Sequence, residues 1–423
     1  MTERRPRWTW VGAVVAAVIG VGAITLRAPL PPPPGPSVAA DALVVFDAAT
    51  LARVADWVGP IRVAYLIGLV IALGVPWWLV VSARGQGLVE RIGGTRFATA
   101  RGAVLAVLAS ALMATPLRWW IGWWHAGAFG FRTSSPLRFV TEAAGSIAIE
   151  TLVTVTAALL LLWVIRRRGS DWPAVGTLLG TLATAGLVLV QPLVVTSLLY
   201  DPAPLDDPVV EAAVGPVVAR STLPDLELLV GAASVRTTRV NAYVTGIGPT
   251  RQVVLWDTLL ALPTDRVVSV VGHEIAHAEH NDLARGVIAS AAGILPALLL
   301  VDAVRRRQNA RGHAVALSGA RAGAMAVAVV VTLQLLGQPV VAWQSRRVEA
   351  AADARTFELV RDPAGFVGLS RGFVERDLSD PNPPAWVRLM AGTHPTAQQR
   401  IRAAVAFAER EGLDPTPDGG DGP

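Results

Sequence analysis

Residues 270–277 read VVGHEIAH, which places the pattern HExxH inside a stretch of helical periodicity. Residues four apart on a helix share one face, so His273 and His277 can present imidazole nitrogens to one metal ion. Glu274 is not a ligand in this arrangement, but it is placed to take a proton from a water at the metal. Two imidazoles and one carboxylate leave an open position for that water, and this ligand set favours zinc.

The interpretation of so short a motif depends on its surroundings. The preceding residues 265–271, DRVVSVV, predict a helix with one apolar side. The chain has only six histidines, and two of them fall in the motif. A carboxylate that can serve as third ligand follows in a second predicted helix. These features favour a metal site over a chance match.

That carboxylate belongs to residues 345–353, SRRVEAAAD. Glu349 and Asp353 are four residues apart and therefore lie on one helical face. Glu349 can complete a site of two histidines and one carboxylate, and Asp353 can orient a histidine ligand through its second ring nitrogen. Without HExxH upstream, the same residues would indicate an ordinary solvated face with Arg346 and Arg347 as ion-pair partners.

The composition indicates a membrane protein. Of 423 residues, 52 % are hydrophobic, and the mean hydropathy of +0.48 is too high for a water-soluble globular protein. Cysteine is absent, which excludes disulfides and thiolate metal sites. The net charge is only +5, and the arginines cluster at the ends of apolar segments. We therefore interpret them as signals of membrane orientation and expect no nucleic-acid partner.

Seven apolar segments predict about seven transmembrane helices. The first, residues 8–26, could be a signal peptide, but its length and the interface-type residues Trp8 and Trp10 favour an uncleaved helix. A Pro-rich connector follows at 29–36, and Pro192 predicts a kink in the fifth segment. The remaining segments are residues 61–82, 101–121, 143–165, 172–199, 286–303 and 321–343.

Residues 201–285 are more polar, and three strands are predicted there, at 226–230, 241–245 and 251–256. A hairpin beside the HExxH helix can offer its edge to an extended peptide. It can equally be a small sheet that only supports the helix, and the sequence leaves both interpretations open.

Taken together, the motifs resemble metallopeptidase family 48, which includes the type I CAAX prenyl endopeptidases and the HtpX-type membrane proteases. Five predicted transmembrane helices before HExxH are similar to the CAAX-type branch rather than to HtpX. The resemblance rests on HExxH, SRxxExxAD at 345–353, NAYVTG at 241–246, RQVVLWDTLL at 251–260, HPT at 394–396 with Arg400 and Ile401, and, for the branch, FGF at 129–131, QPL at 191–193 and PLDD at 204–207.

For the site, the resemblance implies one zinc ion held by His273, His277 and Glu349. Glu274 would be the general base and acid, and Asp353 would support the ligands from behind. The implied activity is that of a zinc metalloendopeptidase acting on a protein or peptide substrate at the lipid bilayer.

The resemblance also gives roles to His394 and Asn241, which match residues that contact the substrate backbone or stabilise the tetrahedral intermediate. His280, His125 and His313 receive no role, and His280 is expected to face solvent. The implied fold class is an α-helical polytopic membrane protein with a small α+β zincin-like catalytic domain, and by resemblance the transmembrane helices enclose a large chamber with zinc at its wall.

This fold predicts six parts along the chain. They are 1–60 with the first span, the connector and an amphipathic surface helix at 38–58; 61–200 with four transmembrane helices; 201–285 with the catalytic segment and HExxH; 286–343 with two transmembrane helices; 344–411 with the third ligand; and 412–423 as a disordered tail.

Resemblance and charge disagree about which side of the membrane the catalytic domain faces. The family implies the cytosol. Fifteen arginines lie in linkers on the N-terminal side and six in short linkers on the catalytic side. By the positive-inside rule, seven spans then predict an extracytoplasmic catalytic domain, and a miscounted span would reverse this. The expected location is a bacterial plasma membrane, with the side left open.

Two other functions compete with a zinc endopeptidase. A catalytically silent membrane scaffold or regulator could retain the fold, although such a protein has no need of Glu274. A transporter or channel would carry intramembrane charge, for which Glu142 and Glu150 are the candidates. The sequence selects neither a natural substrate, prenylated or not, nor an oligomeric state.

Overall fold

The structure is a computed structural model that describes residues 38–191 and 200–417. The predicted first span at 8–26, the Pro-rich connector and Pro192 lie outside these residues. Six described helices are long and apolar enough to cross a membrane, and each overlaps one of the six remaining predicted spans. The fold class is that of an α-helical polytopic membrane protein with a small mixed sheet.

The described residues form long helices of membrane-spanning length and shorter helices. They are α1 Val38–Leu43, α2 Ala48–Val81, α3 Ala83–Gly93, α4 Ala98–Trp119, α5 Pro136–Arg168, α6 Trp172–Gln191, α7 Pro208–Arg220, α8 Thr264–His280, α9 Asp282–Ala310, α10 Ala320–Val360, α11 Pro363–Glu375, α12 Ala385–Met390 and α13 Ala397–Glu411. A π-helical turn, Trp120–His125, and the short helix Ala126–Ala128 extend α4.

Two predicted boundaries fall inside continuous helices. The predicted surface helix at 38–58 is divided into two. Its first part is the separate helix α1, and its second part is the start of α2. Helix α2 begins at Ala48, where Asp47 caps it by accepting from the Thr50 N–H at 2.7 Å. It then runs through position 60 to Val81. Likewise, α10 continues past position 343 to Val360. At the first boundary α2 continues through Gly59 and Pro60, residues that often end a helix, and at the second no Gly or Pro lies at 343 or 344.

Another difference concerns the C-terminal end. Leu413, in the predicted tail, packs against the hydrophobic cluster that contains Ile401 and Phe407. Its N–H donates to the carbonyl of Ala408 at 2.9 Å. The folded chain therefore extends slightly past the predicted boundary at 411, and residues 418–423 lie outside the described ranges.

The helix ends group into two sets. One set, which we call the distal end, consists of residues 83–101, 166–172 and 302–321. Its segments contact one another: Arg166 donates to the carbonyl of Leu317 at 3.2 Å, and the Gly319 N–H donates to Thr99 Oγ1 at 3.1 Å. At the opposite, catalytic end, the N–H of Thr133 donates to the carbonyl of Arg236 at 3.1 Å. The linker after α4 is thereby fixed to the polar domain.

Small residues allow α4 and α10 to pack in close contact. A Cβ on Gly102 would lie 1.9 Å from the carbonyl oxygen of Ala320, and one on Gly323 would lie 1.9 Å from that of Thr99. Ala103 and Ala106 are fully buried in the same contact. Close backbone approach through small residues is how helices associate where lipid removes the hydrophobic drive.

The sheet has the strand order β1-β2-β4-β3, with β1 Ala203–Pro204, β2 Glu227–Gly231, β3 Ala242–Thr245 and β4 Gln252–Trp256. β2 and β4 run parallel, whereas β3 and β4 are antiparallel. β3 is an edge strand, and it packs beside α8. The last three strands lie within a residue or two of the predicted positions.

Candidate metal centre and catalytic site

Helix α8 carries HExxH and is anchored by its apolar side. Val267, Val271 and Ile275 are fully buried against the sheet, in one cluster with Val253 and Leu255. This packing fixes the rotation of α8 about its own axis. The two histidines therefore face α10, the helix that carries Glu349.

Three side chains converge between α8 and α10. The Nε2 atoms of His273 and His277 lie 3.0 Å apart. Glu349 Oε2 lies 3.1 Å from His273 Nε2, and Glu349 Oε1 lies 3.6 Å from His277 Nε2. One ligand atom from each of the three lies within 4.8 Å of the others, so together they could hold a metal ion.

The second ring nitrogens of both histidines face carboxylates. His277 Nδ1 lies 2.8 Å from Asp282 Oδ2. His273 Nδ1 lies 3.0 Å from Asp353 Oδ1, at an angle short of a regular hydrogen bond. A carboxylate behind each imidazole fixes the ring and directs its Nε2 lone pair to the centre. Two such imidazoles with one carboxylate form a donor set that fits zinc.

Sequence reasoning missed Asp282. It begins α9, directly after Asn281, which ends α8 in the left-handed region at φ 55°. The change of direction at Asn281 returns Asp282 to the face of His277, which helical spacing alone does not predict. The available signal was an acidic residue directly after the turn that ends α8.

Arg400 supports the centre from α13. Its Nε donates to Asp353 Oδ2 at 3.0 Å and its Nη2 to Asp353 Oδ1 at 2.6 Å. Its guanidinium also lies over the Phe366 ring, 5.0 Å from the centroid. The sequence singled out Arg400 within a motif but gave it no role. The structure places it behind Asp353 and hence behind His273.

Glu274 is buried beside the two histidines, with 8 % of its surface exposed. Burial raises the pKa of its carboxyl group above the ordinary value, and the neighbouring histidines oppose this only in part. A carboxylate with a raised pKa is a better proton acceptor near neutral pH. Its position therefore suits a general base.

The remaining predicted site residues lie at different distances from the centre. His394 Nε2 lies 3.3 Å from Glu349 Oε2, with 58 % of its side chain exposed, so it borders the open side. Asn241 is exposed and directly precedes β3, and its carbonyl accepts from the Trp256 N–H at 3.0 Å. His280, expected to face solvent, is half-buried beside Asp282.

His125 lies apart from the centre. It is buried, and its ring stacks between those of Trp57 and Trp120, with centroids 4.8 and 5.2 Å away. Its Nε2 lies 2.9 Å from the carbonyl oxygen of Trp57. These contacts give it a packing role where α2 meets the π-helical turn.

Comparison with known proteins agrees with this geometry. Residues 204–408, which contain all three candidate ligands, match the model of peptidase family M48. This segment, just under half of the chain, is similar to that family. It is also 26 % identical over 347 residues to the uncharacterized metalloprotease YhfN of Bacillus subtilis (strain 168), a match that covers 78 % of this chain and 81 % of that one.

Shorter matches connect the chain to two named groups. It is 27 % identical over 158 residues to a CAAX prenyl protease 1 homolog of Oryza sativa subsp. japonica, over 36 % of each protein. It is 28 % identical over 181 residues to a protease HtpX homolog of Paracidovorax citrulli (strain AAC00-1), over 38 % of this chain and 60 % of that protein. The chain thus spans less than two thirds of the length of these two relatives.

The fold as a whole resembles that of a solved protein. The crystal structure of S. mikatae Ste24p superposes with a TM-score of 0.70 at 19 % identity, over 92 % of this chain and 98 % of that one. With the family match, this supports the predicted CAAX-type branch. The family match and the apolar helices together support an integral membrane metalloprotease, an activity that implies a peptide or protein substrate.

Proposed function

We propose that this protein is a zinc metalloendopeptidase that hydrolyses peptide bonds of membrane-associated proteins or peptides. The observation that carries the proposal is the convergence of His273, His277 and Glu349, with the buried Glu274 on the same helix as the histidines. The donor set fits one zinc ion per chain, and Asp282 and Asp353 would hold both imidazoles in ligand orientation.

A bound zinc ion would polarise the scissile carbonyl and acidify the attacking water. Glu274 accepts the proton of that water as it adds to the carbonyl carbon. It then gives this proton to the departing amine nitrogen as the C–N bond breaks. His394, at the open side of Glu349, would donate a hydrogen bond to the oxygen that gains charge.

The edge strand supports a mode of substrate binding. β3 pairs with β4 on one side and packs beside α8, so its other edge can accept an extended peptide as an added strand. Asn241, which directly precedes β3, would contact the substrate backbone with its amide group. The alternative, that the sheet only supports α8, predicts no effect of edge substitutions on KM.

The two acidic residues that could have indicated a transporter have ion-pair partners. Glu142 accepts from Arg236 at 2.8 Å, and Glu150 accepts from Arg118 at 2.8 Å. Paired carboxylates are poor candidates for ion-carrying sites. No observation favours transport over hydrolysis, and a catalytically silent scaffold would not require Glu274.

For location, we propose a bacterial plasma membrane with the catalytic end on the extracytoplasmic side. Twelve described arginines lie at the distal end, whereas the ends of the membrane helices and the linker at the catalytic end carry five, Arg53, Arg62, Arg118, Arg132 and Arg138. Because the chain has no cysteine, a single Pro249→Cys variant can be labelled with a membrane-impermeant maleimide. Labelling in intact cells supports this placement, and labelling only after lysis contradicts it.

The activity itself is tested by removing and restoring the metal. We expect the purified protein to cleave an unfolded protein such as casein, to lose cleavage with a chelator, and to regain it with equimolar zinc. A Glu349→Gln variant should bind zinc poorly and fail to regain cleavage. Cleavage that is unchanged by the chelator would contradict the proposal, as would a wild type that binds zinc without cleaving any peptide.

A further inference from the structure

Helix α3 lies at the distal end and is fixed to the bundle by one face. Gly85, Val89 and Gly93 are buried at spacings of four residues. A Cβ on Gly85 would lie 2.4 Å from the carbonyl oxygen of Trp78, and one on Gly93 would lie 2.4 Å from Ala320 Cβ. The glycines therefore seat α3 directly against α2 and α10.

The face of α3 next to this buried one mixes cations with exposed apolar side chains. Arg84, Leu88, Arg91 and Ile92 follow one another at helical spacing on this face. Leu88 is 38 % exposed and Ile92 46 % exposed. After the helix, Arg96 is exposed and the ring of Phe97 is 80 % exposed. A face of this composition is typical of a helix that lies in the plane of a membrane interface.

The rest of the distal end adds positive charge with little acid to balance it. Its three segments hold twelve arginines and three acidic residues, Glu90, Asp171 and Asp302. Asp302 pairs with Arg305 and Arg306, and Glu90 lies 3.8 Å from Arg321. Eight arginines have no side-chain hydrogen bond or ion pair among the described residues: Arg84, Arg91, Arg96, Arg101, Arg167, Arg168, Arg307 and Arg311.

We propose that the distal end binds anionic phospholipid, with α3 lying in the headgroup layer. The exposed guanidinium groups of Arg84, Arg91 and Arg96 would contact lipid phosphates, since arginine presents several donors in a fixed fork that matches phosphate. The exposed Leu88, Ile92 and Phe97 would insert between acyl chains. This apolar component distinguishes a lipid surface from a free phosphate or another soluble anion.

The test uses a single cysteine at Gly87, where an added Cβ meets nothing within 4 Å. The Gly87→Cys protein carries an environment-insensitive fluorophore and is reconstituted in phosphatidylcholine nanodiscs. Equal small fractions of spin-labelled phosphatidylglycerol or phosphatidylcholine then quench it. We expect stronger quenching by phosphatidylglycerol. The preference for phosphatidylglycerol over phosphatidylcholine near the label should be about five-fold for each contacting arginine and should weaken as salt rises.

Arg84→Gln, Arg91→Gln and Arg96→Gln together should remove most of this preference. Arg410→Gln, an exposed arginine on α13 at the catalytic end, is the matched control and should leave it unchanged. Equal quenching by both lipids in the wild type overturns the proposal. A triple variant that keeps the preference also overturns it, because the arginines then act only on the orientation of the protein in the membrane. If the triple variant does not insert into the nanodiscs, the salt series on the Gly87→Cys protein is the test, and a lipid preference that does not weaken as salt rises overturns the proposal. Peptide cleavage plays no part in the readout.

Discussion

Arg400 and Asp353 form a buried, two-pronged ion pair, with side chains 9 % and 4 % exposed. Asp353 Oδ1 also lies 3.0 Å from Nδ1 of His273. A chain of contacts thus leads from α13, at the C-terminal end of the fold, to a candidate ligand on α8. The late part of the chain is therefore needed to complete the centre formed by HExxH.

Replacing Arg400 with Met should destabilise the protein and disturb the centre. Removing one partner leaves Asp353 as an unpaired buried charge, which costs roughly 3–5 kcal/mol. We expect a markedly lower thermal midpoint in detergent and weaker zinc binding.

Arg402 is the matched control on the same helix. It pairs with Asp41 at 2.9 Å, with both side chains well exposed. Arg402→Met should change the stability by less than about 1 kcal/mol. Equal effects of the two substitutions would show that the buried pair does not stabilise the centre.

Asp282→Ala should weaken zinc binding without removing a ligand. Loss of the carboxylate behind His277 frees the ring to rotate, and such losses cost about 10- to 100-fold in metal affinity. A chelator competition assay measures this, with Asp225→Ala, at an exposed position, as control. Unchanged affinity in the Asp282 variant would contradict the orienting role.

Zinc affinity should also fall as the pH falls. Burial alone would lower the pKa of His277, but its hydrogen bonds with Asp282 and Glu349 hold the pKa well above 6.5 in the metal-free protein. Zinc must displace the proton that this raised pKa retains, which weakens binding by about ten-fold per pH unit for each proton released. In Asp282→Ala the pKa of His277 falls, so the decline in affinity should begin at a lower pH than in the wild type.

Gly272→Ala tests the packing of α8 against α10. The added Cβ would lie 2.5 Å from Val360 Cγ2 and 3.3 Å from Thr356 Cγ2, directly before His273. Overpacking of this kind costs about 1–3 kcal/mol. Val360→Ala in the same chain should recover part of the loss, and Gly286→Ala, where a Cβ meets nothing within 4 Å, should cause none. Equal thermal midpoints for all variants would contradict the close contact.

Local patterns predicted much of this molecule. Spacing within one helix pairs His273 with His277, and long apolar runs locate the membrane helices. Glu349 was predicted because its motif has the same regularity and resembles the family. Short strand-type runs, two of them separated by turn residues, also predicted the strands beside α8. Each of these predictions depends on a pattern within one element.

Relationships between elements were harder to predict. Asp282 reaches His277 through a left-handed residue at Asn281, and the partner of Asp353 lies 47 residues further along the chain. No periodicity encodes either contact. The lengths of α2 and α10 were underestimated because their apolar parts end at the membrane while their backbone hydrogen bonding continues.

The most direct test of the account compares the wild type with Glu274→Gln in two measurements, bound zinc and peptide-bond cleavage. Glu274 is placed as a base and not as a ligand, so we expect both proteins to bind one zinc ion per chain. Cleavage should fall by about 10²- to 10⁴-fold in the variant. A Glu274→Gln protein that holds zinc and cleaves at the wild-type rate would contradict the mechanism.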